Sequence, residues 1–170
     1  MKTSQNSKVK YLTTTAVFAA LIALMTAYIL HIPTANGYIH IGDSLIYLAV
    51  CILPRPYAMV AAALGGGIAD LLTAPVWVLP TMIIKPLITI PFINKGDKII
   101  CLRNIIAPVL AYFISTAGYY VAELIMFGNE KVAFLSSVAS NFLQSFGSAV
   151  VFYLFAFALD KIHFKSRLFS

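Results

Sequence analysis

Apolar residues in this chain come in long runs separated by short polar or proline-containing stretches, and the run lengths carry the first inference. The run at 11–32 is long enough to cross about 30 Å of hydrocarbon at about 1.5 Å per residue, and Pro33 ends it. A polar stretch with Asn36, Gly37, Tyr38 and His40 follows, then a short run at 41–53 stopped by Pro54, Arg55 and Pro56. Further runs cover 57–73, 75–93, 105–127 and 132–159. A membrane β-barrel would instead need short segments of alternating hydrophobicity. The pattern predicts an all-α membrane protein, a six-transmembrane-helix bundle forming one domain over residues 1–170. Pro80, Pro86 and Pro91 predict a kink in the fourth helix, because each removes a backbone donor.

Composition narrows this further. Hydrophobic residues make up 61% of the chain and charged residues 11%, with mean hydropathy +0.89; an ordinary soluble domain is about one quarter charged. Met1 to Lys10 is polar and basic, and the run after it has no small-residue cleavage site, so the first run is expected to stay as a helix. Cys51 and Cys101 lack the spacing of a metal or redox site and read as packing residues.

The net charge of +6 raises the question of nucleic acid, but the basic residues sit in short clusters between apolar runs, which is how topology is encoded. No nucleic-acid partner is expected. With the N-terminus inside, the cytoplasmic segments hold Lys2, Lys8, Lys10, Arg55, Lys95, Lys98, Arg103, Lys161, Lys165 and Arg167, ten of the 12 basic residues. Lys131 falls in an outer loop and Lys85 inside the fourth span. Deleting the short second span would put the basic C-terminal tail outside, against the positive-inside rule. Both termini are therefore expected in the cytoplasm.

A charge in the bilayer costs about 2.5–3.5 kcal/mol on the mildest scale, so each one needs a reason. Asp43 opens the second helix at the outer side and Asp70 closes the third there. Lys85 lies about two to three turns down the fourth, Glu123 about one turn below the outer end of the fifth, and Asn141 and Gln144 two to three turns into the sixth. All fall in the outer half. Helix-packing polar groups would show no such preference, so the bias outlines a polar pocket that opens outward and is closed below by apolar packing. Lys85 is expected to be neutralised by Asp70 or Glu123, as a structural pair or while contacting a ligand. Asp43 fits a helix cap. Asn141 and Gln144, three apart, share a face on which at least one is expected to meet a ligand. Trp77 fits an interfacial anchor or, beside Thr81 and Lys85, a stacking surface. Tyr38 and His40 fit a lid or a solvated loop.

Small residues mark close helix contacts. Ala16 with Ala20, and Ala19 with Ala23 and Ala27, set small-xxx-small spacings on the first helix, suited to an internal seam or a partner's docking face. Gly65, Gly66 and Gly67 allow tight packing of the third. They form no phosphate loop, since no GK[ST] follows.

The stretches IHIGDSLIYLAVCILPRP, AAALGGGIADLL and WVLPTMIIKPL, within residues 39–87, resemble the substrate-binding S components of energy-coupling factor (ECF) vitamin transporters, in particular the riboflavin-type and hydroxymethylpyrimidine-type group. The matching order is a Gly-Asp opening the second helix, a glycine-rich third helix ending in Ala-Asp, and Pro-Thr followed by Lys in the fourth. Leu53-Pro54-Arg55-Pro56 departs from the glycine-proline that relatives often carry between the second and third helices. The resemblance implies a subunit of the bacterial plasma membrane that binds a vitamin or precursor at the outer face. A transmembrane coupling protein, contacted through the alanine face of the first helix (Ala16, Ala19, Ala20, Ala23, Ala27), and two cytoplasmic ATPases would be its partners. It also implies a ligand site of Asn36, Tyr38, Trp77, Thr81, Lys85, Glu123, Asn141 and Gln144, with no cofactor and no metal. The ligand classes it brings are hydroxymethylpyrimidine- or pyridoxine-like vitamins and queuosine precursors.

Two other classes remain open on the residues alone. An intramembrane enzyme would need paired histidines, HExxH or a nucleophile beside a base, yet His31, His40 and His163 are dispersed near span ends. A structural or assembly subunit would use the alanine face as its whole function.

Overall fold

The computed structural model describes residues 2–29, 31–34, 37–128 and 130–168. The elements in chain order are α1 (Lys2–Ala27), β1 (Ile32–Thr34), β2 (Gly37–Ile39), α2 (Asp43–Ile52), α3 (Arg55–Thr73), a 3-10 turn (Pro75–Trp77), α4 (Val78–Leu87), α5 (Leu102–Phe127), α6 (Glu130–Lys161) and α7 (Phe164–Leu168). Among the described residues, four segments are long and apolar enough to cross a membrane: Ser7–Ala27, Arg55–Thr73, Leu102–Phe127 and Ser137–Lys161. Their outward faces carry exposed Leu, Ile, Val and Phe, such as Leu64, Phe113, Ile125 and Leu154, which suits helices solvated by lipid rather than water.

The other two expected spans are shorter. α2 has ten residues, as does α4, so each rises only about 15 Å. The fourth run thus departs from the expected kinked helix over 75–93. Pro75 opens a 3-10 turn, Pro80 sits in the first turn of α4 where its missing donor is harmless, and the helix ends at Leu87, just after Pro86. Turns then lead past Pro91.

α1 likewise stops at Ala27 rather than near residue 32. An antiparallel two-stranded hairpin occupies part of the stretch read from the sequence as loop, pairing Ile32 with Ile39 and Thr34 with Gly37, and β2 lies against α6. The all-helical class expected from the sequence stands, with this short hairpin added to it: Pro33 cannot continue a helix, and the chain reverses so that α2 can start deep in the bundle.

Glycines set the closest helix approaches. A Cβ on Gly65 would stand 2.8 Å from the Ala19 carbonyl and 2.7 Å from Ile22 Cβ, so α3 packs directly on α1. One on Gly66 would stand 2.8 Å from Thr81 Cγ2 and 3.1 Å from Lys85 Cγ, which seats α4 on the next face of α3. The alanine set of α1 divides accordingly. Ala19, Ala23 and Ala27 are buried, whereas Ala16 and Ala20 are exposed. Of the two readings, Ala19, Ala23 and Ala27 take the internal seam, while Ala16 and Ala20 remain on the outer surface of α1.

The core centres on Tyr47, Phe92 and Phe152. Tyr47 stacks on Phe92 with centroids 4.7 Å apart, and Phe152 meets both rings edge-on at 5.8 Å. At the basic end the chain between α4 and α5 is irregular, and its backbone groups need partners where water is scarce. Asn104 bonds Ile93 N, Ile93 O and Ile99 O; Asp160 accepts from Ile99 N at 2.7 Å and Ile100 N at 2.8 Å; Arg103 reaches Pro91 O; and Arg55 reaches Phe92 O. These bonds fix the floor beneath the aromatic core.

Candidate functional site

The buried polar groups converge at the other end of α2. Asp43 is the first residue of that helix, and Gly42 stands at the cap position because Thr26 Oγ1 lies where a Cβ would project. The Asp43 side chain makes no capping bond. Its Oδ1 accepts from Lys85 Nζ at 2.7 Å and its Oδ2 from Gln144 Nε2 at 2.9 Å. One carboxylate thereby ties α2, α4 and α6 together at exposures of 1%, 2% and 6%. The positive end of the α2 dipole adds to the attraction. Two sequence expectations are corrected: Asp43 is the hub of a cluster rather than a cap, and the partner Lys85 takes is Asp43 rather than Asp70 or Glu123. The reason is positional, since the start of α2 lies beside the last turn of α4.

Aromatic groups wall this hub. The Lys85 ammonium stands 5.5 Å from the Tyr119 ring centroid, within cation–π range, and the Tyr119 hydroxyl shares a 2.8 Å hydrogen bond with Thr81 Oγ1. Trp77 meets Tyr119 edge-on at 5.8 Å and Phe127 at 6.1 Å and is buried. It is held inside the bundle, so the interfacial-anchor reading is set aside. One turn below Asp43 on α2, Tyr47 and its aromatic partners separate the hub from the basic end of the bundle.

The remaining expected residues take varied places. Asn141 bonds within the helix pair α5–α6, its Oδ1 accepting from Ser115 Oγ at 2.7 Å and its Nδ2 donating to Ser137 O at 2.8 Å. Glu123 and Asp70 are buried; Glu123 follows Tyr119 by one turn on the same face of α5. Asn36 lies outside the described residues. Tyr38 is in β2. His40 is buried beside the hub rather than solvated, and its Nδ1 accepts from Gly42 N at 2.9 Å, leaving Nε2 to carry the proton. Burial, with help from Lys85, pushes the His40 imidazole down to about 3, so it stays neutral. Tyr119 and Ser115 were not singled out from the sequence. The signal was there: Ser115, Tyr119 and Glu123 recur every four residues and so share one face of α5.

The arrangement gathers buried, mutually bonded polar groups beside aromatic rings. It offers a carboxylate, an ammonium, an amide and two hydroxyls against two aromatic rings, with apolar packing beneath. Residues 6–161 match the family described as ECF-type riboflavin transporter, S component. The chain belongs to that family. An ECF S component is a transporter subunit, not an enzyme, and such subunits bind small molecules and work with ECF partners in the membrane. The chain is also similar to an uncharacterized protein in a gap 3' region from Pyrococcus woesei, with 26% identity over 99 residues, 57% of this chain and 66% of that protein. The match thus spans just under two thirds of that relative's length.

Proposed function

We propose that this ECF S component captures a neutral heteroaromatic vitamin or precursor at the outer face of a bacterial plasma membrane. The candidates are riboflavin, a hydroxymethylpyrimidine- or pyridoxine-like vitamin, or a queuosine precursor. The observation that carries the reading is the Asp43–Lys85–Gln144 hub, buried in an apolar bundle and flanked by Tyr119 and Trp77. A buried ion pair gains little net stability over apolar packing, so its retention at membrane depth favours a ligand-binding role.

In the proposed pose a ring lies against Tyr119 and Trp77. Asp43 accepts from a ring donor, Lys85 and Gln144 donate to ring acceptors, and Thr81, Glu123 and Asn141 edge the site. Six crossings with both termini in the cytoplasm fit the distribution of basic residues, with α2 and α4 as short elements completed by the hairpin and turns. A transmembrane coupling protein, docked on the exposed Ala16 and Ala20, and two cytoplasmic ATPases would drive reorientation and inward release.

The test uses the chain's single tryptophan. Quenching of Trp77 is followed as each candidate ligand is titrated into the purified protein. Lys85→Ala should weaken binding by about 10- to 100-fold, the worth of a charged hydrogen bond, with a smaller loss in Gln144→Ala. Unchanged affinity in Lys85→Ala and Asn141→Ala together overturns the site.

A further inference from the structure

A recess lies at the end of α2 opposite Asp43. It has a volume of about 360 Å³ and is lined by Tyr11 of α1, Ile52 and Pro54 at the α2–α3 turn, Asn94 and Asp97 of the α4–α5 connection, and Lys165 and Ser166 of α7. Ten residues of α2 and the aromatic core separate it from the Asp43 hub, about 15 Å along the helix. The transport site therefore does not use it.

Its chemistry is that of a receptor for an anion on an amphiphile. Lys165 Nζ is sealed from solvent and has no hydrogen-bond partner among the described residues. Burial pulls this ammonium below its ordinary range, while Asp97 and Asp160 oppose the shift. Asp160 already accepts from two backbone amides, and Asp97 is exposed at the rim. A buried cation without a hydrogen bond is unfavourable until an acceptor arrives. Tyr11, Asn94 and Ser166 supply further polar groups, and Ile52 and Pro54 give an apolar wall. Lys95, Lys98, Lys161 and Arg167, all exposed, lie within a few residues of the lining residues along the chain and add positive charge to this end of the bundle. Basic recesses between helices at this end of a membrane protein suit phosphate-bearing headgroups.

We propose that this recess binds the headgroup of a phospholipid from the adjoining leaflet, its phosphate on Lys165 and its distal ammonium or hydroxyl toward Asp97. The occupant is a lipid rather than free phosphate for two reasons: the volume falls in the range of organic ligands, and the carboxylate at the rim matches a headgroup that carries a donor beyond its phosphate.

Native mass spectrometry of the purified full-length protein tests this. The probes are phosphatidylethanolamine, phosphatidylglycerol, diacylglycerol and inorganic phosphate. Phosphatidylethanolamine and phosphatidylglycerol should be retained, and diacylglycerol, which lacks the phosphate, should not. Lys165→Met should weaken retention by about 10-fold or more, Lys165→Arg should restore it, and Lys161→Met, which removes an exposed charge nearby, should leave it unchanged. Equal loss in Lys161→Met and Lys165→Met, or equal retention of diacylglycerol, overturns the proposal; the second outcome needs no variant to fold. Inorganic phosphate binding without a lipid adduct also overturns it.

Discussion

Removing one partner of the buried pair tests whether the Asp43 hub organises the bundle. Lys85→Met keeps an unbranched chain while deleting the ammonium 2.7 Å from Asp43 Oδ1. The carboxylate, 1% exposed, would then keep only the Gln144 amide at 2.9 Å. Stranding a buried charge in this way costs about 3–5 kcal/mol. For a chain of this size each kcal/mol moves Tm by about 2–4 °C, so thermal unfolding in detergent should fall by about 6–20 °C. Asp43→Asn should do similar damage by stranding the ammonium above Tyr119. The double variant carries no charge at the hub, and replacing both partners of a buried pair is often nearly neutral. It should recover most of the lost stability, making the two substitutions strongly non-additive. A single variant within about 1 kcal/mol of the parent, the value for a solvent-exposed pair, or a double variant that loses the sum of both, would refute the reasoning.

Two further predictions address the surroundings of the hub. Gly66→Val should displace Thr81 and Lys85, whose carbons lie 2.8 and 3.1 Å from the new Cβ; overpacking of this kind costs about 1–3 kcal/mol, and calorimetry should show the lowered Tm together with weaker ligand binding. For His40 the folded-state value near 3 lies below the unfolded value of 6.5, so between these limits only the unfolded chain takes the proton and stability falls as pH falls. From pH 6.5 to pH 5 the loss should be about 2 kcal/mol, read as a drop in Tm that His40→Gln, neutral at both pH values, removes; an equal drop in that variant refutes the assignment.

The fold was legible where hydrophobicity acts alone. Long apolar runs, proline stops and the skewed basic residues gave the helical membrane class and the long helices over 57–73 and 105–127 nearly to the residue. The fourth run was read too long and the first too far at its C-terminal end, because a run of apolar residues does not say where the backbone stops being helical. Ile88 to Pro91 are as apolar as α4, yet Pro86 and Pro91 deny the amides that would continue it. Asp43, Lys85 and Gln144, counted to a similar depth from the sequence, do meet in one cluster, but which groups pair was not legible. Depth along a helix can be counted from a sequence; which face of α2 looks at which face of α4 depends on crossing angles set by Gly65 and Gly66, and these appear only once the helices are packed.

The brevity of α2 and α4 is what allows the hub to exist. A full-length helix would carry its first residue to the surface, where Asp43 would be hydrated and its pairing with Lys85 would be worth little. Starting α2 deep in the bundle puts an acidic N-terminus, with its free amides and dipole, beside a lysine two turns into α4. Gly42 permits that start because Thr26 occupies the space any side chain would need. The polar site is thus a consequence of two interrupted helices meeting inside the bundle. If so, a bulkier residue at Gly42 should disturb the hub more than one at Gly96, where an added Cβ meets nothing within 4 Å: Gly42→Val should abolish Trp77-detected binding, and a Gly42→Val protein that binds as the parent does would show that the depth of α2 is not what builds the site.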